Sequence, residues 1–402
     1  MADRNNSYQR RLKIAYILPD LSITGGAAVV LQHTNRLLKR GHDVMVAAPG
    51  GGPLSIDWFP GQSVPVVKLC ALPEGIDLLV ATQWSTAFEA AGLKARHKCY
   101  FVQSDETRFY EKDSFLFHGA ATSYLMNYHF FTEAKWIQKW LQEGYKKTAA
   151  HIPNGLDREI FFPVRPLKAK GGRVRVLLEG NIKLGFKGMD TAFEIVQDME
   201  DVEVWCVSSS GKPKPHWRCD MFFKAVTMDK MRDIYSSCDI LLKVSRVEGF
   251  FGPPLEMMAC GGVCVVGRVS GYDEYIIDGE NALVVDPLDI KGAREAVERL
   301  MHDMTLREKL RQNGLATAAG WDWEASIDKL ERFFYDIIDG KYGLFGSSEN
   351  QIDCSVSSLY KQAFEHYLLM NSRLESVGLR FLVLINKLKM KILSLWSMLT
   401  CL

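Results

Sequence analysis

Short apolar runs alternate with longer amphipathic segments along most of the chain, and this alternation sets the first expectations. IAYIL near residue 14 reads as a strand. In SITGGAAVVLQHTNRLLKRGHDVMVAA, Gly25 and Gly26 open a helix with apolar positions three and four apart, which Gly41 closes before the next strand. Further strand-like runs follow at SVPVVKLC, IDLLVAT, KCYFVQS and AAHIPNG, with a helix predicted at TEAKWIQKWLQEGY. The runs carry little alternation of their own, as expected of parallel strands covered on both faces. The segment FFPVRPLKAKGG has linker composition. After it a second strand and helix series begins with RVRVLLEGN and continues through VEVWCVSSSG, MRDIYSSCDILLKVS and NALVVD.

The predicted organisation is therefore α/β: a Rossmann-like, doubly wound parallel domain over residues 1–163, a second over 164–339, and a linker with a helical tail over 340–402. Ligands of such sheets bind beyond the carboxyl ends of the strands, so two facing domains are expected to share one ligand in the cleft between them. The tail, LRFLVLINKLKMKILSLWSMLTCL, is apolar and basic, but its longest apolar run, Phe381 to Ile385, is far below the roughly 20 residues that span a bilayer. It is expected to dock on the body, to mediate dimerisation or to make peripheral membrane contact.

Composition narrows the partner. With a formal net charge of +1, the chain of 402 residues shows no global field for nucleic acid, so no nucleic-acid partner is expected and a small anion must be met by local groups. Nine cysteines without a C-x-x-C pair read as reduced, buried thiols of a cytoplasmic protein. The polar, basic start MADRNNSYQRRLK followed by a run broken at Pro19 reads as a first strand, with no signal peptide.

The candidate chemistry gathers in RVEGFFGPPLEMMACGG. Glu248 follows a strand, beside the backbone of Gly249, Phe250, Phe251 and Gly252. Pro253 and Pro254 suit the first positions of a helix, Leu255 follows, and Glu256 falls within its first two turns. A helix N-terminus between two carboxylates suits a nucleotide sugar: diphosphate on the amides, ribose diol on one carboxylate, sugar hydroxyls on the other. Spacing alone is weak support, because two glutamates on a surface and at a helix start need hold no ligand. Lys187, in the loop after the second domain's first strand, adds a point charge for a diphosphate, and Gly25 and Gly26 allow close backbone approach. No Asp-x-Asp pair occurs, so no metal-chelating device is expected and no cofactor is implied.

These residues resemble the donor-binding region of the retaining glycosyltransferases of family four, in which two Rossmann-like domains form the GT-B fold. EGFFGPPLEMMACGG with VSGYDEYIIDGENALVVDPLD carries the resemblance, joined by IPNGLDREIFFP at the domain junction, WDWEASIDKLERFF as a closing helix, the ITGGA loop and the Lys187-Gly188 pair. The resemblance implies retaining, metal-independent transfer of a sugar from a nucleoside diphosphate to a hydroxyl of a glycan or lipid-linked acceptor; a cytoplasmic location is expected, at the inner face of a membrane if the tail makes contact there. It assigns Glu248 to the donor sugar, Glu256 to the ribose, and Lys187 to the leaving diphosphate. The chain departs from the pattern in two places. Asn181 stands where many relatives have arginine, with Lys183 the nearest replacement, and FVQSDETRFY has no histidine, leaving Gln103, Asp105 and Glu106 as candidates with Asp105 first. This loop is similar to that of polysaccharide-assembling relatives such as rhamnosyltransferases. A catalytically weak or regulatory homologue that binds nucleotide or a partner transferase is the alternative. An NAD-dependent oxidoreductase is disfavoured because no G-x-G-x-x-G follows a strand.

Overall fold

The computed structural model describes residues 10–50, 54–169, 171–342 and 358–367. Two sheets form, each entirely parallel. The first contains β1 (Lys13–Ile17), β2 (Asp43–Ala48), β3 (Val66–Lys68), β4 (Leu78–Ala81), β5 (His97–Val102), β6 (His129–Thr132) and β7 (Ala149–His151), ordered β3-β2-β1-β4-β5-β6-β7. The second contains β8 (Val174–Glu179), β9 (Val202–Ser208), β10 (Met221–Lys224), β11 (Ile240–Lys243), β12 (Val263–Gly267) and β13 (Leu283–Val285), ordered β10-β9-β8-β11-β12-β13. Strand order therefore reverses direction beside β1 in one domain and beside β8 in the other, and these are the points where adjacent loops part to leave a crevice.

Helices cover both faces of each sheet: α1 (Gly25–Lys39), α2 (Trp84–Ala91), α3 (Phe115–Ser123) and α4 (Lys135–Tyr145) in the first domain, and α5 (Met189–Val196), α6 (Met228–Ser237), α7 (Gly252–Ala259), α8 (Ile290–His302) and α9 (Met304–Ala319) in the second, before α10 (Trp323–Ile338). Ile14 and Tyr16 of β1 enter one core and Ala15 and Ile17 the other, so alternate residues feed opposite faces and the strand reads as one apolar run.

β6 was not expected from the sequence: its four residues, HFFT, are all buried and run directly into α4, so neither alternation nor a turn signal separates them. The helix expected from Thr132 starts at Lys135, because Thr132 belongs to the strand. α10 crosses back to the first domain, where Ile327, Leu330, Phe333 and Phe334 pack in the core of β1 and β2. Glu324, Asp328 and Glu331 on the same helix bind Arg40. A helix over 358–367 also packs on this domain, with Tyr360 stacked on Phe88 and Phe115 and with Lys361 paired to Glu89. The apolar tail beyond it lies outside the described residues. Among those described, no helix is long and apolar enough to cross a membrane. Cys99, Cys206, Cys238, Cys260 and Cys264 are buried and in no disulfide, whereas Cys70 is exposed, contrary to expectation.

Candidate active site

Every group of the second domain's site grows from the reversal point between β8 and β11. β8 ends at Glu179, and the chain then makes a tight turn over 185–187 that presents Lys187. Gly188 follows with φ +62°, and a Cβ there would meet the carbonyl oxygen of Val244 at 2.2 Å, so only glycine fits the Lys187-Gly188 pair. β11 ends at Lys243, and its loop carries Glu248 back to the same place. Lys187 Nζ lies 2.7 Å from Glu248 Oε2, so the two residues singled out in the sequence meet directly.

Glu248 is 7% exposed. Burial alone would push its carboxyl up, but the ammonium groups of Lys187 and Lys243 outweigh this and hold it below the usual value. Its Oε1 has no hydrogen-bond partner, and Lys243 Nζ stands 3.7 Å from it. Glu256 lies in α7, whose first turn carries Pro253 and Pro254 as expected. It accepts a hydrogen bond from Tyr235 Oη at 3.1 Å. Burial and the neighbouring Glu179 carboxylate push Glu256 up to about 7.

The loop between the carboxylates differs from expectation in its side chains. Phe251 and Leu255 are buried in the second domain's core, at 0% and 1% exposure, and the Phe250 ring packs on Tyr275 and Trp321. Apolar rings cannot be left in water at a helix start without loss of burial energy, so they turn inward and leave only backbone for a ligand. Two of the four amides expected to meet the diphosphate are also engaged: Phe250 N–H donates to Glu133 Oε1 at 3.0 Å, and Gly252 N–H to the Phe250 carbonyl at 2.9 Å. Asn181 Oδ1 accepts from Lys183 N–H, and the Lys183 side chain is exposed beside Gly211.

The first domain meets this loop with its own strand ends. Gln103, just past β5, packs its side-chain amide against Gly26, where a Cβ would lie 3.0 Å from Gln103 Oε1, while Gly25 is open. The Gln103 carbonyl approaches Gly249 so closely that a Cβ on Gly249 would lie 1.8 Å from it. Asp105, the first choice for this position, is instead held locally: its Oδ1 accepts from Thr107 N–H at 3.1 Å and from Thr107 Oγ1 at 2.5 Å, as an Asx turn does. Glu106 turns into the core, where its Oε2 accepts from Trp84 N–H at 2.7 Å and burial pushes its carboxyl up to about 8. Of the aromatics on the first domain's loops, Trp84, Tyr110 and Tyr128 are bound to one another or to Ala87 within the domain, and Phe109 stacks on Phe186 across the domain boundary.

Glu133, at the end of the unexpected β6, was missed. It accepts from Asn154 Nδ2 at 2.7 Å as well as from Phe250, and burial pushes it up to about 7. Trp136 Nε1–H donates to the Gly249 carbonyl at 2.8 Å, and Arg108 donates to Ser270 and to the Arg246 carbonyl. The domains are thus closed upon each other at the site. Two hollows, of about 560 and 430 Å³, lie elsewhere, beside Ile56 and Phe59 and between Gln32 and Asp157. Gln103 Oε1, Ser104 Oγ, Asn154 Oδ1 and Glu248 Oε1, all on the strand ends that meet here, are buried without a hydrogen-bond partner. Buried polar atoms of this kind are open to a hydrogen bond from a ligand or water.

Residues 221–317 match the family described as Glycosyl transferases group 1. The chain is 23% identical over 221 residues to an uncharacterized glycosyltransferase of Methanocaldococcus jannaschii, covering 51% of this chain and 59% of that protein. It is 25% identical over 297 residues to the O-antigen biosynthesis protein RfbC of Myxococcus xanthus, covering 67% of this chain and 22% of that protein. The chain thus spans less than two thirds of the length of these curated relatives. Anabaena HepE, solved in complex with UDP-glucose, superposes with a TM-score of 0.68 at 13% identity over 82% of this chain and 100% of that one. Its likeness bears on the fold. The family match thus runs from β10 into α9 of the second domain and includes Glu248 and Glu256, and the two facing parallel-sheet domains have the fold of HepE.

Proposed function

We propose that the protein transfers a hexosyl or deoxyhexosyl group from a nucleoside diphosphate sugar to a hydroxyl of a glycan or lipid-linked acceptor, with retention and without a metal. The observation that carries this reading is the Lys187–Glu248 pair at the β8/β11 reversal point, with Glu256 one helix turn into α7, beyond the loop that carries Glu248. HepE, which binds UDP-glucose, and RfbC, named for O-antigen biosynthesis, support the same donor and acceptor classes.

In this reading Lys187 turns from Glu248 to the diphosphate, beside the N-terminus of α7, and neutralises the charge that develops as the glycosidic oxygen leaves. Glu256 accepts hydrogen bonds from the ribose diol, and Glu248 from hydroxyls of the sugar. The acceptor hydroxyl attacks the face from which the diphosphate departs, and the departing phosphate oxygen takes its proton. A cation at Lys187 and the helix dipole serve the charge that a chelated metal serves elsewhere. The contacts of Glu133, Trp136 and Arg108 must part to admit the donor and can re-form around it.

Thermal stabilisation across UDP, GDP, ADP and dTDP tests the donor site, followed by assay with the corresponding sugar nucleotides and NMR of the product's anomeric centre. Stabilisation by none of the four sinks the reading. A product of inverted configuration sinks its stereochemistry. A regulatory homologue, favoured by Asn181 in place of arginine and by the lack of histidine in FVQSDETRFY, would bind nucleotide and transfer nothing.

A further inference from the structure

Lys243 is a cation that the sequence reading passed over, and it lies directly under the site. It is the last residue of β11, in a strand buried on both faces, and its side chain is 2% exposed. Its ammonium donates to Glu179 Oε2 at 2.5 Å and to the Glu179 carbonyl at 3.0 Å, stands 3.7 Å from Glu248 Oε1, and lies 6.0 Å from the centre of the Phe251 ring. Removing an ammonium from water is costly unless charges and dipoles replace the solvent. Here two carboxylates, a carbonyl and an aromatic face do so, and the ring gives Phe251 a role that no ligand contact gives it.

Glu248 therefore has two cations of different kinds. Lys187 is on the loop side, 24% exposed, and holds Oε2; Lys243 is on the strand side, sealed, and faces the unpartnered Oε1. A loop lysine can swing toward an incoming diphosphate. The strand lysine cannot, because its stem is locked in the sheet and its head is tied to Glu179. If Lys187 leaves and nothing replaces it, Glu248 becomes a buried carboxylate without a counter-ion and takes up a proton. It then loses the acceptor capacity that the sugar hydroxyls need.

We propose that Lys243 is the positioning residue of the donor site: it remains as the inner counter-ion of Glu248 when Lys187 transfers to the donor diphosphate, with Phe251 as its apolar support. This inference rests on the proposed transfer reaction for the identity of the anion, but not for the coupling of Lys243 to Glu248. The groups that face the pair are Lys187 from the turn before α5, Glu179 from β8, Ser245 from the loop, Glu256 from α7, Tyr275 from the second domain's core and Glu133 from the first domain.

Replacing Lys187 by methionine imitates its departure without any ligand. The readout is the pH titration of the Glu248 side-chain ¹³Cδ resonance, assigned by its loss in Glu248→Gln. In Lys187→Met the carboxyl is expected to stay ionised at neutral pH. In Lys187→Met/Lys243→Met its midpoint is expected to climb by about one unit or more, and Lys187→Met/Lys243→Arg is expected to bring it back. Equal midpoints in Lys187→Met and the Lys243→Met double variant overturn the proposal. If the double variant fails to fold, adding Glu179→Gln removes the carboxylate that Lys243 would leave unpaired, and the same comparison decides. Failure of UDP, GDP, ADP and dTDP to bind the wild-type protein would defeat the transfer reading separately, because the titration requires none of them.

Discussion

The two domains share one architecture but hold their strand-end carboxyls in opposite states. At the first domain's cleft end, Glu106 and Glu133 are buried beside hydrogen-bond donors and form no ion pair among the described residues, and burial raises them to about 8 and about 7. At the second domain's cleft end, Glu248 is equally buried, yet two lysines hold it ionised. The same desolvation acts on both; only the neighbouring ammonium groups differ. The lesson is that fixed charge is concentrated in the half that would hold the anionic donor, while the other half contributes shape, closure and neutral hydrogen bonds.

The strongest way to break this comparison is to remove the outer cation. Lys187→Ala is expected to reduce the transfer rate by roughly 10²- to 10³-fold while the melting temperature stays near wild type, as loss of one charge-stabilising group does elsewhere. Steady-state assay and a thermal melt together check this, and a rate within a few-fold of wild type would refute the division of labour. Next is closure. Gly249→Ala places a methyl 1.8 Å from the Gln103 carbonyl, so the domains cannot meet as they do here. A loss of about 10²-fold in kcat/KM is expected from misplacement on the ångström scale, with a larger radius of gyration by solution scattering.

The third prediction concerns Glu256, pushed up to about 7 in the free protein. Only its ionised form is a full acceptor for a diol, so nucleotide affinity is expected to be highest above neutrality and to fall about tenfold per pH unit below it. Calorimetry with the nucleoside diphosphate that stabilises the protein, between pH 5.5 and 8.5, checks this; Glu256→Gln should bind weakly with a flat profile. The smallest effect is expected in the first domain. Glu106 binds its proton more tightly folded than unfolded, so its contribution to stability is present at low pH and is lost as pH rises through about 8. Glu106→Gln should melt within a few degrees of wild type near pH 6 and should lose less stability between pH 7 and 9. A Gln variant as impaired as Glu248→Gln would erase the contrast between the domains.

Much of this site was visible before folding. Lys187, Glu248 and Glu256 lie on three separate stretches of chain, yet each follows a strand or opens a helix, and carboxyl-end loops of one parallel sheet necessarily converge. Lys243 was passed over although a lysine inside ILLKVS, a strand with every other position apolar or small, is itself a signal that a buried counter-charge awaits it. Glu133 gave no comparable sign, because β6 merges into α4 without punctuation. Among Gln103, Asp105 and Glu106 no local rule could choose, since consecutive residues after a strand point in different directions and a polar group takes whichever donor it reaches.

The sequence by itself determined the two parallel-sheet domains, the helix start at Gly252 to Pro254 and the position of both carboxylates, because apolar periodicity, proline and glycine act on the local backbone. Only the tertiary structure decided which of those groups carry charge, which amides are already bonded across the domain boundary, and that Phe251 and Lys243 belong together. Protonation and pairing depend on what lies across a few ångströms of space, and residues 64 positions apart in the chain, Glu179 and Lys243, supply it here.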